Sequence, residues 1–189
     1  MMTPSQISSQ LEFAKSTGSL PAFTAASFRT GVDKNLLLAI ASRESHIGQI
    51  LDGSYLGDGG NGIGLMQVDR RYHPEFAASV RPSDHYKIIL KGAQIFKEEL
   101  NRFDGNTYAA LAAYNTGPGD VQKALGRGED PDIYTTGGDY AKDVLTCYEL
   151  IKQLNGSSIT QLANMDTIAG LILVSAAAGT VFLMSRNSR

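Results

Sequence analysis

Six of the twelve residues between positions 53 and 64 are glycine, and this density limits what the chain can fold into. Glycine costs backbone entropy in a helix, so the segment predicts a break between helical regions. Short apolar runs flank it at residues 50–51 and 65–68, a pattern that indicates strands joined by turns. The sequence therefore predicts a small irregular β-hairpin at this place in the chain.

Apolar residues recur at helical spacing on both sides of this hairpin. Helices are predicted around residues 7–14, from 21, and over 33–45, 84–100, 107–114, 120–125 and 139–154. Asp33 and Asp84 are well placed to be N-caps. The segment 107–114 (TYAALAAY) is apolar nearly all round, which indicates the central buried helix. The expected body is thus mainly α, with an α+β character supplied by one minor sheet.

The composition restricts the class of function. A length of 189 residues fits one globular domain. The single cysteine, Cys147, excludes an internal disulfide, and the scattered His46, His73 and His85 lack zinc-ligand spacing, so we expect no metal and no cofactor. The first 166 residues hold fifteen of the seventeen basic residues and all nineteen acidic ones, a net charge of −4. Without a basic cluster, nucleic-acid binding is not expected.

The last part of the chain differs in composition from the body. A polar stretch, residues 155–166, is predicted to be a linker. Residues 167–185 carry no charge and are followed by Arg186 and Arg189, which predicts a C-terminal transmembrane helix. The alternative is a buried terminal helix packed on the domain. At the other end, residues 1–6 have neither the basic nor the apolar region of a cleavable secretory signal.

Glu44 follows Ile40 by four positions and Leu37 by seven, so helical geometry places its carboxyl on the apolar face of its helix. It also lies in the last turn, where the negative end of the helix dipole disfavours an anion. Burial and the dipole both favour the protonated carboxyl, so Glu44 is a candidate general acid. The alternative is a Glu44 paired with Arg43 or another base at a frayed helix end.

Two aspartates bracket the glycine-rich segment. Asp58 and Asp69 follow Glu44 in the chain, and the glycines between them allow a bulky polymer to approach the backbone. Two carboxylates near an acid can activate a water molecule on the opposite face of a sugar. Taken alone, Asp58 could equally be the turn residue of a Gly-Asp-Gly sequence, and Asp69 a helix cap or the partner of Arg70 or Arg71.

Four blocks of sequence follow one another in the chain: residues 42–46 (SRESH), 57–69 (GDGGNGIGLMQVD), 113–119 (AYNTGPG) and 138–144 (GDYAKDV). In content, order and spacing they closely resemble goose-type lysozymes and the related soluble lytic transglycosylases. The resemblance covers about residues 23–154, which implies a lysozyme-like catalytic domain with the hairpin beside a substrate cleft. An N-terminal helical segment, residues 1–22, and the tail lie outside it.

The resemblance implies a role for each matching position. Glu44 matches the family's general acid, and Asp58 and Asp69 match the acidic pair that holds and activates the water. The implied substrate-binding residues are His73, Met66, Gln67, Tyr114, Asn115 and Tyr140. Of these, Met66 and Gln67 belong to the segment GLMQ, which is expected to form a strand beneath the sugar.

The substrate implied by the resemblance is peptidoglycan, cleaved at the β-1,4 bond between N-acetylmuramic acid and N-acetylglucosamine. Because both Asp58 and Asp69 are present, we expect inverting hydrolysis, with carboxyl groups about 6.5–9.5 Å apart. Two alternatives stay open. One is a lytic transglycosylase, which forms 1,6-anhydro-muramyl products, and the other is a non-catalytic glycan-binding or structural virion protein.

The tail and the lack of disulfides look more like a bacterial or phage member of this family than an animal one. We expect a protein anchored in the membrane by its C-terminal single-pass helix, with the catalytic domain facing the cell wall or carried in a phage virion. Ser175 and Gly179 have the small-xxx-small spacing through which two such helices can self-associate.

Overall fold

Eight α-helices account for most of residues 2–156, the part of the chain that the computed structural model describes. They are α1 (Pro4–Ser16), α2 (Leu20–Thr30), α3 (Lys34–Ser45), α4 (Pro74–Ser79), α5 (His85–Arg102), α6 (Thr107–Thr116), α7 (Pro118–Gly126) and α8 (residues 140–156). Short 3-10 turns occupy His46–Gly48, Asp58–Gly60, Pro131–Tyr134 and Thr136–Gly138. Residues up to 151 form one compact unit, and the fold that follows is that of this unit.

Side-chain caps determine where several helices begin. The Asp33 carboxylate accepts hydrogen bonds from the N–H groups of Asn35 and Leu36, and so satisfies free donors at the start of α3. Asp84 caps α5 in the same way through the N–H of Lys87. Both caps were predicted and are confirmed.

Two helices form the centre of the core. In α6, the five residues from Ala109 to Ala113 are all buried, which confirms the prediction of a helix that is apolar all round. In α3, every residue from Leu36 to Ser42 is buried as well. The burial of α3 on all sides was not predicted, since Glu44 and its neighbours suggested one apolar face only. Glu44 therefore belongs to a helix that the protein surrounds.

The glycine-rich segment forms a three-stranded antiparallel sheet with strands β1 (Leu56–Gly57), β2 (Gly62–Ile63) and β3 (Val68–Asp69). The hairpin was predicted at the correct place in the chain, but the structure contains a third strand that was not predicted. The expected GLMQ strand is wrong, because Gln67 has a left-handed φ of 47° and the strand begins only at Val68. A turn at this point lets the third strand pair back onto the second.

Gly57 and Gly62 lie opposite each other in this sheet, and the Gln67 side chain covers both. A Cβ atom at either glycine would lie 2.1 Å from the Gln67 side-chain oxygen. The amide of Gln67 also donates to the Gly64 carbonyl at 2.7 Å. The absence of a side chain at these two glycines thus leaves room for the Gln67 side chain.

Some boundaries differ from the prediction. Helix α4 was not predicted, because its six residues (PEFAAS) are too few to show a clear period. Helix α7 begins at Pro118 rather than at residue 120, since proline is well suited to the first turn of a helix. The predicted linker also begins too early, because α8 continues through residue 156.

The membrane-anchored architecture is corrected. Among residues 2–156, none of the helices combines the length and the apolar character that crossing a bilayer requires. The transmembrane prediction, and the anchored localisation with it, therefore has no support and is withdrawn. It rested on an uncharged run near the lower length limit for a span, diluted by Ala, Gly and Ser. That run, residues 167–185, with Ser175 and Gly179, lies outside the described residues.

Candidate active site

A cleft of about 800 Å³ lies between the sheet, the end of α3, α5 and the start of α8. It brings together eight of the nine predicted site residues: Glu44, Asp58, Gln67, Asp69, His73, Tyr114, Asn115 and Tyr140. The ninth, Met66, does not line the cleft. Its side chain is fully buried and packs against Gly92, where an added Cβ would lie 2.7 Å from it.

Glu44 lies in the last turn of α3, with part of the residue open to the cleft. Protein atoms crowd its carboxyl, and this desolvation raises the pKa of Glu44 to about 7. The Tyr140 hydroxyl donates a hydrogen bond to Glu44 Oε1, and the Arg43 charge lies nearby. Both lower the pKa, but burial outweighs them. A large fraction of Glu44 is therefore protonated at neutral pH.

Arg43 is engaged with residues other than Glu44. Its Nε lies 3.3 Å from an Asp143 carboxylate oxygen, and one terminal nitrogen lies 3.6 Å from Asp139. That nitrogen also donates to the Thr136 carbonyl at 3.2 Å, and the guanidinium lies over the Tyr140 ring, 5.5 Å from its centroid. This geometry disfavours the alternative in which Glu44 is simply the ion-pair partner of Arg43.

Tyr114 and Tyr140 flank the candidate acid. The Tyr114 hydroxyl donates to the Met66 carbonyl at 2.8 Å, so Met66 contributes to the site through its backbone. Burial raises the pKa of both tyrosines, and the negative charge of an ionised Glu44 raises it further. Both phenols therefore keep their protons and act as donors.

The Asp58 and Asp69 carboxylates are bridged by Arg71. Its terminal nitrogen donates to Asp58 at 2.9 Å, and its Nε lies 3.0 Å from each oxygen of Asp69. The backbone N–H of Arg71 also donates to Asp69 at 2.7 Å. These hydrogen bonds lower the pKa of Asp69 below its usual value, in spite of its partial burial. The pairing of Asp69 with Arg71, which the sequence left open, is thus present.

His73 and Asn115 also line this cleft. Burial lowers the pKa of His73, Lys91 lowers it further, and Glu98 and Asp69 oppose this, so the ring is neutral at pH 7. The Asn115 side-chain oxygen accepts the Thr136 N–H at 2.8 Å. Asn115 therefore holds the 3-10 turn Thr136–Gly138 at the cleft wall.

A family model described as Lysozyme g matches residues 21–153. The chain belongs to the lysozyme g family. This confirms the resemblance to goose-type lysozymes. It gives no support to a bacterial or phage origin.

Three curated relatives with this name are similar to the chain. Lysozyme g of Struthio camelus is 36% identical over 127 residues, 65% of this chain and 60% of that protein. Lysozyme G of Dromaius novaehollandiae is 35% identical over 127 residues, which again cover 65% of this chain and 60% of that protein. Lysozyme g of Gallus gallus is 34% identical over 129 residues, 65% of this chain and 58% of that protein. The chain thus spans about 60% of the length of these lysozyme g relatives.

The sequence analysis missed the roles of two residues at this site, Arg71 and Tyr72. Arg71 was considered only as a partner of Asp69, although it joins both aspartates. Tyr72 is an exposed aromatic residue on the cleft wall. It was not considered, although its neighbours in sequence, Arg71 and His73, were. For metals, no group of three or more His, Cys, Asp or Glu side chains within residues 2–156 is arranged to hold an ion.

Proposed function

We propose that this chain is a muramidase that hydrolyses the β-1,4 bond between N-acetylmuramic acid and N-acetylglucosamine in peptidoglycan. Glu44 is the general acid, and Asp58 and Asp69 position the attacking water. The observation that carries this proposal is that two carboxyl groups lining one cleft have pKa values shifted in opposite directions. Burial raises the pKa of Glu44 to about 7, and Arg71 lowers the pKa of Asp69. The lysozyme g relatives support the same reaction by their name.

The first step is protonation of the leaving group. The Glu44 proton passes to the glycosidic oxygen, the bond from that oxygen to the sugar C1 breaks, and positive charge develops on the sugar ring. Glu44 is left as a carboxylate. The Tyr140 hydroxyl, which donates to Oε1, stabilises that charged form. The acid is thus kept protonated by burial and is supported by Tyr140 after it has lost its proton.

The second step is the attack of water on C1 from the opposite face. An aspartate oxygen accepts a proton from that water as its oxygen bonds to C1. The aspartate then releases this proton to solvent, and Glu44 regains one from solvent. The base must be ionised for this, and the hydrogen bonds from Arg71 lower the pKa of Asp69. Arg71 also donates to Asp58 and so holds that carboxylate beside Asp69. The Asp58 side chain is 64% exposed, so it is open to water from the cleft.

The presence of this aspartate pair favours hydrolysis over transglycosylation. In a transglycosylase the muramyl 6-hydroxyl attacks C1 and leaves a 1,6-anhydro end, a route that requires no carboxylate to activate water. The pair formed by Asp58 and Asp69 would have no role in that reaction.

The test is digestion of purified peptidoglycan, with the products identified by mass spectrometry. We expect muropeptides with free reducing muramic acid ends. Mainly 1,6-anhydro ends would replace the hydrolase with a transglycosylase, and binding without release of muropeptides would indicate a glycan-binding protein. Asp69→Asn separates the first two outcomes again, because it should impair a hydrolase and leave a transglycosylase little changed.

A further inference from the structure

Asp132 is a carboxylate that the proposed reaction does not use, although only 1% of the residue is exposed. It lies in the 3-10 turn Pro131–Tyr134. Removing a charged group from water is costly unless hydrogen bonds replace the lost hydration. The partners of Asp132 therefore indicate what its burial achieves.

Four donors surround the Asp132 carboxylate. Oδ1 accepts from the Ala141 N–H at 2.8 Å and from the Thr135 hydroxyl at 3.1 Å. Oδ2 accepts from the Lys142 N–H at 3.0 Å and from the Tyr108 hydroxyl at 3.0 Å. Two of these donors are N–H groups in the first turn of α8, where a helix has free donors and stabilises negative charge. Asp132 thus caps α8 from a 3-10 turn nine residues before Ala141.

The same turn of α8 carries Tyr140, whose hydroxyl donates to Glu44. Tyr140 immediately precedes Ala141, and its backbone N–H donates to the Thr135 hydroxyl at 3.3 Å. That hydroxyl is itself a donor to Asp132. Since the Tyr140 ring is fully buried, its hydroxyl has little freedom once this turn is fixed.

We infer that Asp132 is a positioning residue for the general acid: it anchors the first turn of α8 and so holds the Tyr140 hydroxyl on the Glu44 carboxyl. The catalytic meaning of this inference rests on the proposed function. The positioning itself is a property of the folded chain and can be measured without substrate.

The direction of the effect distinguishes positioning from a simple charge effect. A hydrogen bond donated to a carboxylate favours its charged form, so loss of the Tyr140 contact makes Glu44 hold its proton to higher pH. Removal of a negative charge such as Asp132 acts in the opposite direction, because it favours ionisation of a neighbouring acid. The charged and titratable groups facing Glu44 are Arg43, Tyr114 and Tyr140.

The experiment is a carbon NMR titration of the Glu44 side-chain carboxyl in the full chain. It compares the wild type, Asp132→Asn, Tyr140→Phe and the double variant. We expect each single variant to move the midpoint upward by about half to one pH unit, the equivalent of one hydrogen bond. The double variant should titrate like Tyr140→Phe alone, because Asp132 acts through Tyr140.

Asp130→Asn is the matched control. Asp130 lies in the same part of the chain, competes with Asp132 for the single Tyr108 hydroxyl proton at 3.1 Å, and accepts from the Asp132 N–H at 2.9 Å. Both partners lie outside α8, and asparagine retains an oxygen acceptor for the N–H. We expect the Glu44 midpoint to stay at its wild-type value in this variant.

An unchanged or lowered midpoint in folded Asp132→Asn overturns the inference, and so does an additive shift in the double variant. If Asp132→Asn does not fold, Tyr108→Phe decides in its place, since it removes a single donor. A smaller upward shift supports positioning and an unchanged midpoint refutes it. If the wild type releases no muropeptides, the proposed function fails while these titrations still give their answer.

Discussion

The two sides of the cleft carry the same functional group in opposite surroundings. On one side, Glu44 ends a helix that is buried all round, and burial outweighs the Tyr140 hydrogen bond. On the other, Asp58 lies in the 3-10 turn that follows β1 and Asp69 lies on the two-residue strand β3, and a half-exposed Arg71 joins them. In the proposed reaction, the surroundings of each carboxyl decide whether it serves as the acid or as the base.

The surroundings differ because the two backbones differ. A helix embedded in the core offers its side chains few polar partners, so a carboxyl there is desolvated. Ile63 and Val68 of the glycine-rich sheet are buried, but Asp58 and Asp69 remain 64% and 25% exposed in their side chains, with Arg71 between them. The proposed chemistry follows from placing a desolvated carboxyl and a pair of partly exposed carboxylates beside the same cleft.

The largest effect should come from removing the acid. Glu44→Gln keeps the size of the side chain but cannot give up a proton to the glycosidic oxygen, so muropeptide release should fall by about 10²- to 10⁴-fold. The assay is release from purified peptidoglycan at pH 6. Glu75→Gln, an exposed glutamate in α4, is the control and should keep wild-type activity. An undiminished rate in Glu44→Gln would end its assignment as the acid.

The same substitution should change how stability depends on pH. Between about pH 4.5 and 7 the unfolded chain gives up the Glu44 proton while the folded chain keeps it, so the wild type loses stability as pH rises. The loss is on the order of 3 kcal/mol and is complete above the folded pKa. Glu44→Gln, which has no such proton, should gain relative stability over this window in urea unfolding. Parallel stability curves for the two proteins would contradict the raised pKa.

Next in size is the loss of the arginine bridge. Arg71→Ala leaves Asp58 and Asp69 without their common partner, so the water is held less well and hydrolysis should fall by about tenfold to a hundredfold. The pKa of Asp69 should rise, which moves the acidic limb of the kcat/KM profile upward in pH.

Arg70→Ala is the matched control, because Arg70 is the exposed neighbour in sequence. It removes the same net charge and should leave both the rate and the acidic limb unchanged. Equal effects from the two variants would mean that overall charge, rather than the bridge, supports the aspartates.

The smallest effect should come from the sheet that carries the aspartates. Gly62→Ala places a methyl group where the Gln67 carboxamide lies, so that side chain must move and lose its bond to Gly64. We expect kcat/KM to fall by roughly several-fold, with about 1 kcal/mol of lost stability. Gly53→Ala, where an added Cβ meets no atom within 4 Å, is the control. Equal, small losses in both would show that Gln67 has no part in the site.

The acid side of the cleft was open to prediction from sequence because it depends on local periodicity. The spacing from Leu37 and Ile40 to Glu44 lies within two helical turns, and Asp33 caps the same helix. The burial of α3 on its remaining sides depends on packing against other elements, and a single helix does not reveal it.

The resemblance predicted Tyr140 at the site, but the contacts that support Glu44 were beyond sequence reasoning because they join distant parts of the chain. Tyr140 lies 96 positions from Glu44, and Arg43 lies 93 from Thr136. The Asp132 cap of α8 was missed for another reason: a cap is normally sought directly before its helix, and this one comes from a separate turn nine residues before Ala141. The transmembrane prediction failed because it was based on composition alone, namely on an uncharged run of residues.

One titration tests the central claim most directly. Carbon NMR of the wild-type carboxyl groups can follow Glu44 and Asp69 in the same sample. The account predicts a midpoint of about 7 for Glu44 and a midpoint below the usual aspartate range for Asp69. If both groups titrated together near pH 4, the two sides of the cleft would not differ, and the division into acid and base would be refuted.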